Sequence, residues 1–153
     1  MRYKILGDSD CPLVHIQLDM NEKVKIERGA MAYVSNVDLE GKMNSSKKGL
    51  GGVLGAIGRS ITSGESMFMT HATGKSNDGY IGIAPAIPGK INCLHVDGNK
   101  QYCLNTGAFL ASDESVDYVM KSQNVGKALL GGTGGFFIMQ TQGEGDILVS
   151  AFG

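Results

Sequence analysis

Apolar and polar residues alternate along most of this chain, and a period of two marks half-buried strands. Val14, Ile16 and Leu18 alternate with His15, Gln17 and Asp19, and Val24 and Ile26 alternate with Lys23, Lys25 and Glu27. Asn21-Glu22 and Arg28-Gly29 are turn pairs between such runs. A strand opens the chain at 3–6, Met31, Tyr33 and Val34 continue the series, and a short strand covers 36–41. Met67-Phe68-Met69 lies on a further strand, and the pattern then predicts strands at 79–84, 90–96, 101–104, 108–112, 116–120, 136–142 and 145–151. A rhythm of roughly 8–12 residues per strand suits a β-sandwich or barrel. One stretch breaks it. In the Gly-rich segment 49–59, Leu50, Val53, Leu54 and Ile57 fall at i, i+3, i+4 and i+7, which predicts one short helix. Each glycine there costs about 1 kcal/mol relative to alanine, so the helix needs tertiary support. Residues 125–130 are its stunted counterpart.

The strand series is written twice. Gly29-Ala30-Met31-Ala32 matches Gly107-Ala108-Phe109-Leu110, 78 residues on, and the same offset aligns Leu18 with Val96, Asn21 with Asn99 and Ile26 with Leu104. Val37-Asp38-Leu39 meets Val116-Asp117-Tyr118 at 79, whereas Gly74 meets Gly143 at 69. The connecting segment, 43–65 in the first copy and 121–134 in the second, is therefore about nine residues shorter the second time. The expected organisation is one all-β unit, 1–153, made of two repeats of about 1–77 and 78–153.

Met67-Phe68-Met69 and Phe136-Phe137-Ile138-Met139 are apolar at consecutive positions, so both faces of these strands need cover. In a β unit of this size another subunit supplies the second cover, which predicts a homo-oligomer.

Composition narrows this picture. Glycine accounts for 23 of 153 residues, about twice its usual share, with only 3 prolines. That excludes a Pro-rich linker and fits many tight turns. The net charge of −1 carries no electrostatic footprint for duplex nucleic acid. Cys11, Cys93 and Cys103 make an odd count without metal spacing, which fits a reducing compartment. No signal-peptide pattern and no long apolar run is present. The expected location is cytoplasmic.

Candidate chemistry is thin. The segment around Gly52 to Ser60 has the wrong spacing for a phosphate loop, with Arg59 where a lysine belongs. His15, His71 and His95 form no recognisable ligand set with nearby carboxylates, so no metal or other cofactor is implied. Cys93 and His95 share one face of a strand, a geometry that could back a nucleophile but is common by accident. No G-x-S-x-G elbow occurs. Asp113-Glu114 sits at a turn, and Glu65 follows the Gly-rich segment. No catalytic residue is assigned. The interaction candidates are Leu50, Val53, Leu54, Ile57, Glu65, Met67 and Met69.

Four motifs in order carry a family resemblance. They are Gly29-Ala30-Met31; Gly64-Glu65-Ser66-Met67-Phe68; Ile83-Ala84-Pro85 with Pro88-Gly89-Lys90-Ile91; and Gly107-Ala108-Phe109-Leu110-Ala111-Ser112. Together they resemble, over essentially the whole chain, the altered-inheritance-of-mitochondria family. These are uncharacterised prokaryotic proteins related to a fungal mitochondrial-biogenesis factor. The resemblance implies a fold like the tryptophan RNA-binding attenuation protein, with sandwich or double-stranded β-helix repeats, three to a chain, and trimeric assembly. A third repeat is not evident here. The expected function is a non-enzymatic oligomeric scaffold or binding module. The alternatives are a small-molecule- or metal-binding cupin-like protein, drawing on His15, His71, His95 and Glu65, and an RNA-binding oligomer.

Overall fold

The computed structural model describes residues 1–7, 10–44, 67–122 and 137–151. The strands are β1 (Arg2–Leu6), β2 (Leu13–Leu18), β3 (Lys23–Glu27), β4 (Met31–Ser35), β5 (Val37–Asn44), β6 (Met67–Gly74), β7 (Gly79–Ile83), β8 (Lys90–Val96), β9 (Cys103–Asn105), β10 (Phe109–Asp113), β11 (Val116–Ser122), β12 (Phe137–Gly143) and β13 (Gly145–Ala151). A single 3₁₀ turn, Thr106–Ala108, separates β9 from β10. The fold is all-β, and every expected strand forms. The short helix expected in 49–59, like its counterpart at 125–130, lies outside the described residues.

Two boundaries move for local reasons. The strand expected at 101–104 starts only at Cys103. Upstream, the Asp97 carboxylate accepts hydrogen bonds from the Asn99 and Lys100 amides, and the Gln101 amide group donates to the Asp97 and Gly143 carbonyls. This side-chain turn competes with extension of the strand. The strand expected at 36–41 runs on to Asn44, because β6 pairs with it along its whole length from Val37↔Gly74 to Asn44↔Met67.

All neighbouring strands are antiparallel, in three sheets. Their orders are β1-β2-β7-β4, β5-β6-β3-β10-β13-β8 and β11-β12-β9. The six-stranded sheet feeds two cores. One joins its Val24, Ile26, Ala72, Ala111 and Leu148 to Val14, Ile16, Leu18, Ile81 and Ile83 of the four-stranded sheet. The other joins its Met69, Phe109, Val96 and Ile147 to Leu104, Val116, Tyr118 and Met139 of the three-stranded sheet. Phe109 meets Tyr118 edge to face, with ring centroids 5.1 Å apart. Each fully buried aliphatic side chain contributes about 1.5–3 kcal/mol of burial free energy.

Lys25 fastens the edge of the second core. Its side chain is only 6% exposed, and Nζ donates to the Val116 carbonyl (2.8 Å) and pairs with Asp117 Oδ1 (2.7 Å). A buried ammonium persists only when satisfied in this way. Gly74 closes the β2–β3 turn. Its carbonyl accepts from the Asn21 amide (2.8 Å), its own amide donates to the Glu22 carbonyl (2.9 Å), and a Cβ would overlap the Asp19 carbonyl.

The two halves are paired in matching registers. The order β5-β6-β3 has its counterpart in β11-β12-β9, and β2-β7-β4 in β8-β13-β10. Leu18↔Gly79 and Ile16↔Ile81 in the first half correspond in register to Val96↔Gly145 and Leu94↔Ile147 in the second. In both, the middle strand of the triplet comes from farther along the chain: β7 lies between β2 and β4, and β13 between β8 and β10. The pairing of β3 with β10 joins the halves (Ala111↔Ile26, Ser112↔Lys25, Asp113↔Val24). Their counterparts β9 and β4 each pair on one side among the described residues, β9 with β12 and β4 with β7.

Met69 is fully buried whereas its neighbour Phe68 is 42% exposed, with the Arg28 guanidinium 5.8 Å from its ring centre. Truncation should separate the two. Met69→Ala and Ile16→Ala are each expected to cost about 2–5 kcal/mol in urea denaturation. Phe68→Ala is expected to cost less than about 1 kcal/mol. A Phe68 variant as damaging as Met69→Ala would contradict the assignment of Phe68 to the open face.

Candidate functional site

Glu27 is the last residue of β3, on the face opposite Val24 and Ile26, where the strand leaves the second core. There it meets a cavity of about 410 Å³. The other walls are mostly apolar, with Pro85, Ile87 and Pro88 from the β7–β8 connection, Ala108, Phe109 and Leu110 around the start of β10, and Ala151 at the end of β13, and they include the polar Asn105 and Ser150. The β7–β8 connection is held near both ends. The Ala84 amide donates to the Ala30 carbonyl (2.8 Å), and the Gly89 amide donates to the Asp10 carbonyl (2.7 Å). Its two prolines bring no amide that needs a partner, so they can line an apolar wall without cost.

The volume falls within the range of small-molecule sites, and apolar walls around one ionisable group are their usual chemistry. Burial pushes the Glu27 carboxyl above the ordinary carboxylate range. A carboxylate in that setting gains most from a cation or a hydrogen-bond donor placed against it.

The histidines do not meet here or with one another. His15 lies on the open face of the four-stranded sheet, with Nδ1 2.9 Å from the Tyr33 hydroxyl. His71 is nearly buried on β6 against Glu114, 3.0 Å away. His95 is exposed on β8 and pairs with Asp146 at 2.8 Å, which raises its imidazole above the ordinary value. Among the described residues no group of three His, Cys, Asp or Glu side chains could hold a metal ion. Cys93 and His95 share a face of β8, but they are separately engaged. A hydrogen bond to Cys93 and burial push the Tyr3 phenol up to about 12, while His95 is held by Asp146.

A family model for mitochondrial biogenesis AIM24 matches residues 3–153. The chain belongs to the AIM24 family. It is 49% identical to an uncharacterized protein of Streptococcus pyogenes serotype M6, over 100% of this chain and 61% of that protein. A crystal structure of a Streptococcus pyogenes protein superposes with a TM-score of 0.72 at 43% identity, covering 99% of this chain and 65% of that one. The chain thus spans less than two thirds of the length of these relatives.

Two of the four sequence strings that carried the AIM24 resemblance meet at the cavity. Pro85 and Pro88 come from one, and Gly107, Ala108, Phe109 and Leu110 from the other. The individual residues singled out beforehand lie elsewhere. Leu50, Val53, Leu54, Ile57 and Glu65 are outside the described residues. Met67 opens β6, and Met69 is a core residue. Glu27 was missed because it ends an alternating Lys-Val-Lys-Ile-Glu run and reads as part of a solvated face. Its only sequence signal was the Arg28-Gly29 turn that follows. Gly29 takes a positive φ of 97°, and the chain turns directly after the carboxylate.

The raised Glu27 carboxyl fixes a pH dependence. Just above the ordinary carboxylate range the folded state holds more protons than the unfolded one, so stability falls as pH rises through that window. Glu27→Gln removes this penalty. It is expected to raise Tm at pH 7 and to leave it unchanged at pH values well below the ordinary glutamate pKa, as read by differential scanning calorimetry.

Proposed function

We propose that this AIM24-family chain is a non-enzymatic binding module that works as a homo-oligomer in the cytoplasm, its two halves being copies of one repeat. The single observation that carries the binding reading is the cavity at Glu27, where one carboxylate stands among mostly apolar walls. Such a site selects an organic ligand with an apolar body and one cationic or hydrogen-bond-donating head. Its one hydroxyl, Ser150, has no histidine or lysine among the lining residues to activate it, which suits retention of a ligand rather than its conversion.

The oligomer rests on edges and faces. β3 of one half pairs with β10 of the other, and the counterparts of these strands each have a neighbour on one side only among the described residues. An unprotected strand edge is a template for another chain. Phe68 on β6 adds an exposed ring, and on the adjoining β5 Leu39, opposite Ala72, is itself 41% exposed. A trimer is the assembly the family resemblance implies. No helix among the described residues is long and apolar enough to cross a membrane.

Two measurements test this reading. In light scattering, the particle mass is expected to be a multiple of 16.1 kDa. A monomer at about 50 μM, well above a micromolar Kd, would overturn the oligomer. Hexylammonium serves as the pocket probe. It is expected to bind with a Kd of about 1–10 mM, the range open to so small a ligand. It should shift the NMR signals of Ile87 and Leu110, and bind more weakly to Glu27→Gln, while hexanoate is excluded. Equal binding of the two probes would overturn the role given to Glu27.

A further inference from the structure

The outer face of the four-stranded sheet carries a second, separate feature. Two cross-strand rows run over it. One is Lys4–His15–Gly82–Tyr33 and the other Arg2–Gln17–Tyr80–Ser35, each reading β1 to β2 to β7 to β4. Three rings cluster in these rows. The centroids of His15 and Tyr80 are 5.1 Å apart, those of His15 and Tyr33 6.0 Å, and those of Tyr33 and Tyr80 6.1 Å. Gly82 is the reason they fit. A Cβ at that position would run into the Tyr33 ring, so the ring lies over bare backbone. The hydrogen bond between His15 and the Tyr33 hydroxyl holds it there.

The matching register in the other half shows what this face is not. There the row is Cys93–Leu148–Ala111, and Leu148 and Ala111 are fully buried in the first core. Where that half has Leu for packing, this one has Gly; where it has Ala, this one has Tyr. The face is rebuilt from an apolar packing surface into an aromatic platform with polar surrounds. Tyr33 and Tyr80 are each 37% exposed, and Lys4 and Gln17 are exposed beside them.

The geometry points to a binding face for a neutral oligosaccharide. Exposed tyrosine rings present rigid, amphipathic area at low entropic cost, which suits the C–H face of a sugar ring. Gln17, Ser35, Lys4 and the Tyr80 hydroxyl supply donors and acceptors for hydroxyl groups. Charge decides against a phosphate backbone. Arg2 is committed to Asp19 at 2.6 Å and Glu22 at 3.1 Å, which leaves Lys4 as the one cation of the two rows outside an ion pair. Nucleic-acid affinity comes mainly from many such cations. Four strands about 4.8 Å apart make a platform about 15 Å across, long enough for roughly three sugar units laid across the strands.

The test titrates the 153-residue chain with cellotetraose, chitotetraose and maltotetraose. Side-chain NMR signals of His15, Tyr33 and Tyr80 are followed, with tyrosine fluorescence as a second readout because the chain has no tryptophan. One of the three is expected to bind with a Kd of about 0.1–1 mM, to lose affinity as the disaccharide, and to gain little beyond the trisaccharide. Tyr33→Ala and Tyr80→Ala should each weaken it at least about 10-fold, near 1.4 kcal/mol. Tyr80→Ala removes only a half-exposed ring, so it keeps the test valid if Tyr33→Ala fails to fold. Glu27→Gln should leave saccharide binding unchanged, which separates this face from the cavity. The proposal is overturned if no saccharide moves the three ring signals at about 5 mM, a concentration that populates even millimolar complexes. It is also overturned if the same face instead takes a dT₁₂ oligonucleotide with steep salt dependence, or is protected by self-association.

Discussion

Three residue pairs hold the halves of this protein in one sheet: Ala111↔Ile26, Ser112↔Lys25 and Asp113↔Val24. The short seam between β3 and β10 gives the central sheet its six strands, and that sheet feeds both cores. Each core takes residues from both sides of it. Val24 and Ile26 turn one way, toward the four-stranded sheet, while Lys25 turns the other way to bind β11. The same strand then ends at Glu27, so the seam also fixes the carboxylate of the cavity against the start of β10.

Much of this was legible beforehand. Strand alternation is a local property, set by which side chains face the core, and it placed the strands to within a few residues. The failures were of two kinds. Gln101 reads as strand-compatible, yet its side chain and the Asp97 carboxylate satisfy a turn instead, a competition invisible to periodicity. Glu27 belongs to a strand whose second face reads as solvated, because nothing in Lys23, Lys25 and Glu27 announces that another sheet and a loop lie beyond. Lys25 is the sharper case. A lysine in an alternating run reads as surface, and only the carbonyl of Val116 and the carboxylate of Asp117 make its burial possible. The histidines show the opposite error: similar residue types drew attention, but distances between sheets are not written in the sequence.

The two candidate surfaces differ in kind. The cavity beside Glu27 is a half-open, mostly apolar recess marked by one acid whose ionisation is opposed by its surroundings. The face around Tyr33 and Tyr80 is open, nearly neutral and rich in hydroxyl and amide groups. They use different sheets and different sides of the chain's pairing pattern, so each can vary without disturbing the other. The two registers coincide residue for residue between the halves. A change such as Gly82 in place of Leu148 therefore alters what a face does without altering how the strands pair.

The placement of β7 between β2 and β4, and of β13 between β8 and β10, makes the chain directional. Each half completes its triplet with a strand that comes later in the sequence. A segment ending at Gly74 would leave β2 and β4 parted, with an open slot between them and a full row of unpaired amides and carbonyls on each side. Each half is thus closed by its own last strand, β7 in one and β13 in the other, so a half truncated before that strand cannot complete its sheet.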